Sequence, residues 1–499
     1  MNRTTQSLIA GVAALVAVTG FAAFNTPDGT GDDGAKEAAR LPVERTSLLC
    51  PAPSTSDLAE TSYTGFTPVS KGSGGSGKAE LLPSVKQLTD APDKDKEKGA
   101  KPFLSSKTPG KPVAGEESGA ESPALIGTAD GKLAPGWTVQ QTSKITAGSG
   151  RGAHGLTCSA PDTDFWFPAA STAKERDDYV HLTNPDDSAA VVDIELYGPD
   201  GPIKSEVGEA IQVKAHSSVP VLLSTLTDKP QTNLTVHVTA RSGRVAAAIQ
   251  SSDDKLGGDW LPAAADPADS LVLPGIPEDA TSARLVAFAP GSDDADLKVQ
   301  LASPNGLISP AGHASLHVKS GMTAAVDLGN VTRGEAGSLV LTPSEDSVPV
   351  VAALRVTRGK GDKQETAFIP AVNAVGARAT VADNRAKGST LSLTAPGKSA
   401  QVKVTASAGT EGGTPATKTY KIKGGTTLAV EPPVPAGLKG AYALTVEPVS
   451  GGPVYGSRML RLGGDDTHGV PMFTVQTLPD DRGTVAVPEA EQDLTVLEK

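Results

Sequence analysis

Apolar and polar residues alternate one by one along Val192-Asp-Ile-Glu-Leu196. The alternation returns at Leu297-Lys-Val-Gln-Leu301 and again at Val402-Lys-Val-Thr-Ala406. The stretches are in register, each 105 residues after the one before. A period of two puts every second side chain on one face, so each predicts a strand with one buried and one wet side. Recurrence at domain length predicts consecutive copies of one small β-domain. Hairpin patterns close each copy: Leu234–Thr239 turning at Arg241-Ser-Gly243 into Val245–Gln250, Ser338–Thr342 into Val348–Leu354, and Tyr442–Val446 into Pro453–Leu460. Some seven short strands in ~100 residues predict an all-β chain of tandem immunoglobulin-like antiparallel β-sandwiches. The Cys…Trp…Cys core of antibody domains is absent, so the strand topology stays open.

These patterns divide the chain. Residues 1–40 hold an export or anchor segment and a linker, and 41–160 form a diverged β-module. Three sandwiches follow at 161–265, 266–372 and 373–480, then an acidic tail at 481–499. Leu8–Phe24 is an uncharged apolar run after Arg3, followed by acidic residues, which predicts an N-terminal apolar helix with the remainder exported. Cleaved secretion and membrane anchoring both fit. Within 41–160, residues from about 69 to 123 are rich in Gly, Ser, Lys, Glu and Pro, which predicts a mobile insertion. Copies that lean on nearest neighbours are expected to fold from about 160 to 478 without what precedes them.

Composition changes this picture little. Aromatic residues are 4% of the 499, so the cores must be built from Val, Leu, Ile and Ala. The formal net charge of −12 excludes nucleic acid as a natural partner and excludes charge-driven docking on anionic lipid. Contact with a membrane is expected through the N-terminal segment only. Cys50 and Cys158 are the two cysteines. Buried thiols and a disulfide are both compatible with that count. Export, and their placement at the opening and closing strands of one module, lead us to expect a Cys50–Cys158 disulfide.

Candidate chemistry is sparse. His313 and His317 share a strand face but lie ~13 Å apart along it, too far to share a metal without a bend. No zinc-protease, nucleophile-elbow or phosphate-loop motif occurs. The pairs Asp186-Asp187 and Asp293-Asp294 follow equivalent strand edges. Calcium in inter-strand loops competes there with plain solvated turns, and the third copy has Gly397-Lys-Ser399 instead. Trp137, Trp166 and Trp260 are either sugar-stacking platforms or packing residues. Asn233-Leu-Thr and Asn330-Val-Thr match the glycosylation sequon. No catalytic, cofactor-binding or metal-binding residue is singled out, so no cofactor is expected.

The Leu48-Leu-Cys50-Pro start, Cys158-Ser-Ala-Pro161 leading into Asp164-Phe-Trp166-Phe-Pro168, and the Leu182-Thr-Asn-Pro185 strand edge carry a resemblance over nearly all of residues 1–480. By them the chain resembles a family of secreted or membrane-anchored actinobacterial proteins of unknown function. The resemblance transfers no active site. It implies a gene neighbourhood that often includes a large membrane glycosyltransferase. The expectation is therefore a non-enzymatic scaffold or accessory protein of the cell envelope, outside the cytoplasm, with an envelope protein or glycan as partner and that glycosyltransferase tested first. The alternative is an array of glycan-binding modules for envelope polysaccharide.

Overall fold

The computed structural model describes residues 39–487 apart from 71, 73, 74, 87–100, 362 and 464–471. Among them the regular structure is strand, interrupted by two 3-10 turns at Gly131–Leu133 and Leu223–Thr225. No helix among the described residues is long and apolar enough to cross a membrane, and the apolar run Leu8–Phe24 lies outside them.

Among the described residues eight sheets form four pairs, and a ninth, two-stranded sheet joins Ala39–Pro42 to Thr484–Val487. In the first module one sheet runs Arg45–Cys50, Leu125–Asp130, Ala79–Pro83, Leu104–Ser106 in spatial order. Its companion runs Gly152–Thr157, Thr138–Ile145, Ala59–Phe66, Val113–Ser118. The other three modules keep this order. The opening strand of each (Asp164–Ala170, Leu271–Ile276, Ala379–Asn384) edges one sheet, and the closing strand (Gly257–Leu261, Lys363–Pro370, Met472–Thr477) edges the other. All ladders between the two sheets' neighbours are antiparallel. One short parallel pairing joins Val85–Lys86 of the first module to Ser217–Leu222 of the second.

The alternation seen in the sequence explains the packing. Val192, Ile194 and Leu196 point into the second module's core, Leu297, Val299 and Leu301 into the third's, and Val402, Val404 and Ala406 into the fourth's. The facing sheets supply Val180 and Leu182, Leu285 and Leu354, and Leu391 and Leu393 respectively. Removal of these aliphatic side chains from water is the main stabilising term of such a core. The opening strands of the second, third and fourth modules also share a bulge. Register slips at Ala169, Gly275 and within Val381–Asn384, where Ala169, Gly275 and Asp383 adopt φ of 82°, 86° and 54°. That left-handed step is easy for glycine and strained for Ala169.

The modules lie within one body, Pro42–Val485, and their contacts close into a cycle. Leu49 and Ile126 of the first pack on Ala246 of the second. Trp166 of the second packs on Phe288 and Val351 of the third. Val272, Ala302 and Val340 of the third pack on Tyr455 of the fourth. Ala382 and Ala443 of the fourth return to Phe66 of the first. Each contact joins the first sheet of one module to the second sheet of the next. Two buried arginines add contacts between the second sheets of successive modules, with Arg176 5.5 Å over the Phe368 ring and Arg358 4.6 Å over that of Phe473. The modules therefore lean on more than their sequence neighbours, since the first also touches the fourth.

Two further expectations change. Residues 69–123 do not form one mobile insertion, because the strands at 79–83, 104–106 and 113–118 fall inside that window and Ala79, Leu81 and Leu104 are core residues. Short strands carrying charge on their wet face look disordered when composition is averaged over a long window. Residues 87–100 and the tail from 488 lie outside the described residues. The start of the expected acidic tail is ordered, since the Asp481 side chain is 6% exposed. It pairs with Arg378 and accepts from Thr380 Oγ1 at 3.0 Å. Arg378 donates onward to the Pro135 carbonyl at 3.3 Å and to Ser70 Oγ at 3.0 Å, so this cluster ties the fourth module to the first.

Candidate functional site

The four closing strands, Gly152–Thr157, Gly257–Leu261, Lys363–Pro370 and Met472–Thr477, pack against one another where the modules meet. Side chains there must be small or mutually bonded. A Cβ on Gly155 would collide with Gln476 and Thr474, and one on Gly258 would lie 2.7 Å from the His154 ring. Both glycines are therefore required by close approach.

A polar chain runs through this junction. Asp259 Oδ1 accepts from Gly155 N at 2.9 Å, from Trp260 N at 2.8 Å and from Thr474 Oγ1 at 3.1 Å. Gln476 Nε2 donates to Thr474 Oγ1 at 2.7 Å. Arg151 reaches the carbonyls of Lys255 at 2.5 Å and Gln364 at 3.2 Å, so one guanidinium touches the second and third modules from the first. His154 Nε2 donates to the Gly150 carbonyl at 2.8 Å, leaving Nδ1 without a partner.

Burial sets the charge states. It holds the Asp259 carboxyl well above the ordinary carboxylate range, outweighing the donors that favour its anion, and the charge of Glu365 pushes the same way. Burial raises Glu365 to about 7 against the pull of Arg151 and Arg358, and lowers His154 to about 4, so that ring is neutral near pH 7. Two buried acids share one junction, which keeps their combined charge low.

Beside this junction lies a cavity of about 330 Å³ lined from all four modules. Its lining includes Gly155, Gln476, Ala247 and Ala248, the apolar Trp137 and Phe165, and the acids Asp162, Asp164, Asp266 and Asp480. Asp259 and Glu365 are not among its lining residues.

The residues singled out from sequence are placed as follows. Cys50 and Cys158 are bonded to each other, with their Cα atoms 4.6 Å apart. Trp166 stacks on His237 at 3.6 Å between centroids and packs on Phe288, while Trp260 is buried with Leu156 and Ala248. Trp137 belongs to the first core. His317 meets Asp296 at 2.9 Å on an exposed strand, and His313 sits in the preceding turn. Asp186 pairs with Arg244, Asp187 with His216, and Asp294 caps Ser320 N. Among the described residues no group of three or more His, Cys, Asp or Glu is arranged to hold a metal ion. Asn233 accepts from Arg284 at 2.8 Å, and Asn330 caps Arg333 N at 3.0 Å.

Sequence reasoning passed over Asp259, Glu365, Gly155 and Gln476. A usable signal existed: polar or glycine residues interrupt strands that close each module on an apolar-Pro or apolar-Leu end. With this junction and its strand order in view, comparison with known families is decisive on one point. A family of unknown function, DUF5719, matches residues 113–433. The chain belongs to the DUF5719 family. The match starts inside the first module and ends inside the fourth, a narrower span than the 1–480 that the sequence motifs suggested. No curated protein matches the DUF5719 chain closely enough to count as a relative.

Proposed function

We propose that this DUF5719 protein is an extracytoplasmic, non-enzymatic scaffold or accessory protein of the cell envelope, tethered or exported by Leu8–Phe24. The observation that carries the reading is the closed cycle of module contacts, whose buried polar groups are spent on holding modules together. Arg151, Asp259, Arg378 and Asp481 each bond across or along a module boundary. The disulfide supports an oxidising compartment. The matching strand orders support descent from one immunoglobulin-like sandwich copied in tandem. We favour the scaffold over the glycan-binding array because Trp137, Trp166 and Trp260 are all buried, leaving none of them as a stacking platform.

The test is cross-linking of the full chain in its native envelope, followed by recovery and identification of what is attached. A membrane glycosyltransferase is the expected partner. Recovery in the cytoplasmic fraction, or turnover of an envelope glycan by the purified chain alone, would overturn the proposal.

A further inference from the structure

We infer that the seam between the second and third modules holds a binding site for an oxyanion, built from Arg176, Arg284 and Arg355. The ligand class is a small molecule carrying a carboxylate or a phosphate group. The inference goes beyond the scaffold reading and does not depend on it.

The third module's second sheet puts the site together. Arg284 on Ala280–Phe288 lies directly opposite Arg355 on Val351–Lys360, and Arg355 lies opposite Phe368 on Lys363–Pro370. Direct partners share a face, so the three side chains form one row. In the next row on that face, Val286 and Ala353 join Phe368 in packing on the second module's core. The arginines therefore stand at the rim of the contact between modules. Across the seam the second module brings Arg176 to 5.5 Å over the Phe368 ring, and its Asn233 Oδ1 accepts from Arg284 Nε at 2.8 Å. Neighbouring strands are ~4.8 Å apart, so the row that carries the three guanidiniums spans about two strand spacings.

The carboxylates nearby are committed elsewhere. Asp178 is held by Arg176 at 2.6 Å and by Ser171 N at 2.8 Å. Asp253 accepts from the backbone N–H groups of Lys255 at 2.9 Å and Leu256 at 3.0 Å. Asp327, opposite Arg284 on the outer strand, accepts from Ser282 Oγ at 3.1 Å and Gly329 N at 2.9 Å. Among the described residues none of the three pairs with Arg284 or Arg355, and the Arg355 guanidinium has no hydrogen-bond partner. Burial, and after it the charge of Arg176, push Arg355 down to about 10, outweighing the longer-range pull of Asp253 and Asp178. Like charges set directly opposite each other, one of them partly desolvated and unpaired, are costly to the bare fold.

The site is open to a ligand. Arg284 and Arg355 are half-buried, and the buried atoms that lack a partner include Nε of Arg151 and of Arg458 but no nitrogen of Arg176, Arg284 or Arg355. The unbonded nitrogens of these three guanidiniums therefore reach solvent. A guanidinium presents planar, paired N–H donors that match the edge of a carboxylate or phosphate, and partial burial strengthens that bond. An oxyanion seated here supplies the acceptor that Arg355 lacks and offsets its repulsion with Arg284.

Calorimetric titration of the full chain with glucuronate, glucose 6-phosphate and glucose tests this, since the three share one carbon frame and differ in the anionic group. At least one of the acids is expected to bind, more weakly as salt is raised, and glucose is not. Glucuronate alone identifies a carboxylate ligand and glucose 6-phosphate alone a phosphate; either supports the site. Arg355→Gln should weaken binding at least about tenfold. It should melt no lower than the parent, because the charge it removes has no partner among the described residues. Arg355→Lys keeps the charge without the planar fork and should weaken binding severalfold, so it decides the matter if R355Q melts low. Arg244→Gln, at the other end of the strand Leu234–Ser242 from Asn233, should leave affinity unchanged. Binding of neither acid, glucose bound as tightly as they are, affinity untouched by both Arg355 variants, or an equal loss in R244Q would each overturn the inference.

Discussion

The amide of Gly155 donates to Asp259 Oδ1 at 2.9 Å, from the closing strand of the first module to that of the second. The approach is possible because residue 155 has no side chain. Gly155→Ala is expected to overpack the junction and cost about 1–3 kcal/mol, read as a lower midpoint in urea. An unchanged midpoint would mean that the closing strands can separate without loss.

Glu365 makes stability depend on pH. Its folded-state carboxyl is raised, so the folded protein holds that proton more tightly than the unfolded chain does. Its favourable contribution is fully present below the ordinary glutamate range and is lost as pH rises from about 4.5 through about 7. Melting temperature should therefore fall across that window, and Glu365→Gln should flatten the fall, by on the order of 2–3 kcal/mol at most. Parallel profiles for parent and variant would rule out this assignment.

Arg378 and Asp481, 14% and 6% exposed in their side chains, hold the cycle shut between the fourth and first modules. Arg378→Ala leaves a buried carboxylate without its cation and is expected to destabilise by about 3–5 kcal/mol. The double variant R378A/D481A should recover part of that loss. Equal stability of the single and double variants would show that the pair is not the element that matters.

The disulfide closes a long loop, its cysteines being 108 residues apart. C50S/C158S should lose about 4–5 kcal/mol in the chain-entropy account, and reducing agent should lower the stability of the parent but not of the variant. Digestion of the unreduced protein should yield one cross-linked peptide pair, and two free thiols would refute the bond.

Removing the first module tests the cycle as a whole. A fragment beginning at residue 161 would expose the surfaces that Leu49, Ile126 and Phe66 now cover on the second and fourth modules. It is expected to melt lower than the full chain and to self-associate, as seen by sedimentation. A monomer of parental stability would restore the simpler picture of modules that lean only on sequence neighbours.

Local rules were enough for the strands. Alternation at Val192–Leu196 and its two counterparts determined which side chains enter each core, because a strand's period admits only one buried face. Hairpin chemistry placed the module ends, and the cysteine positions pointed to their own pairing. Composition misled at 69–123, where charged wet faces hid the buried Ala79, Leu81 and Leu104. The only local mark on Asp259, Glu365 and Gln476 was a polar residue interrupting a closing strand, which does not by itself tell a buried junction from a wet face. Their burial, and the shifted protonation of the two acids, arise only when four closing strands from distant parts of the chain come together. The cavity beside them has the same origin, because its walls belong to modules hundreds of residues apart and no single module contains it.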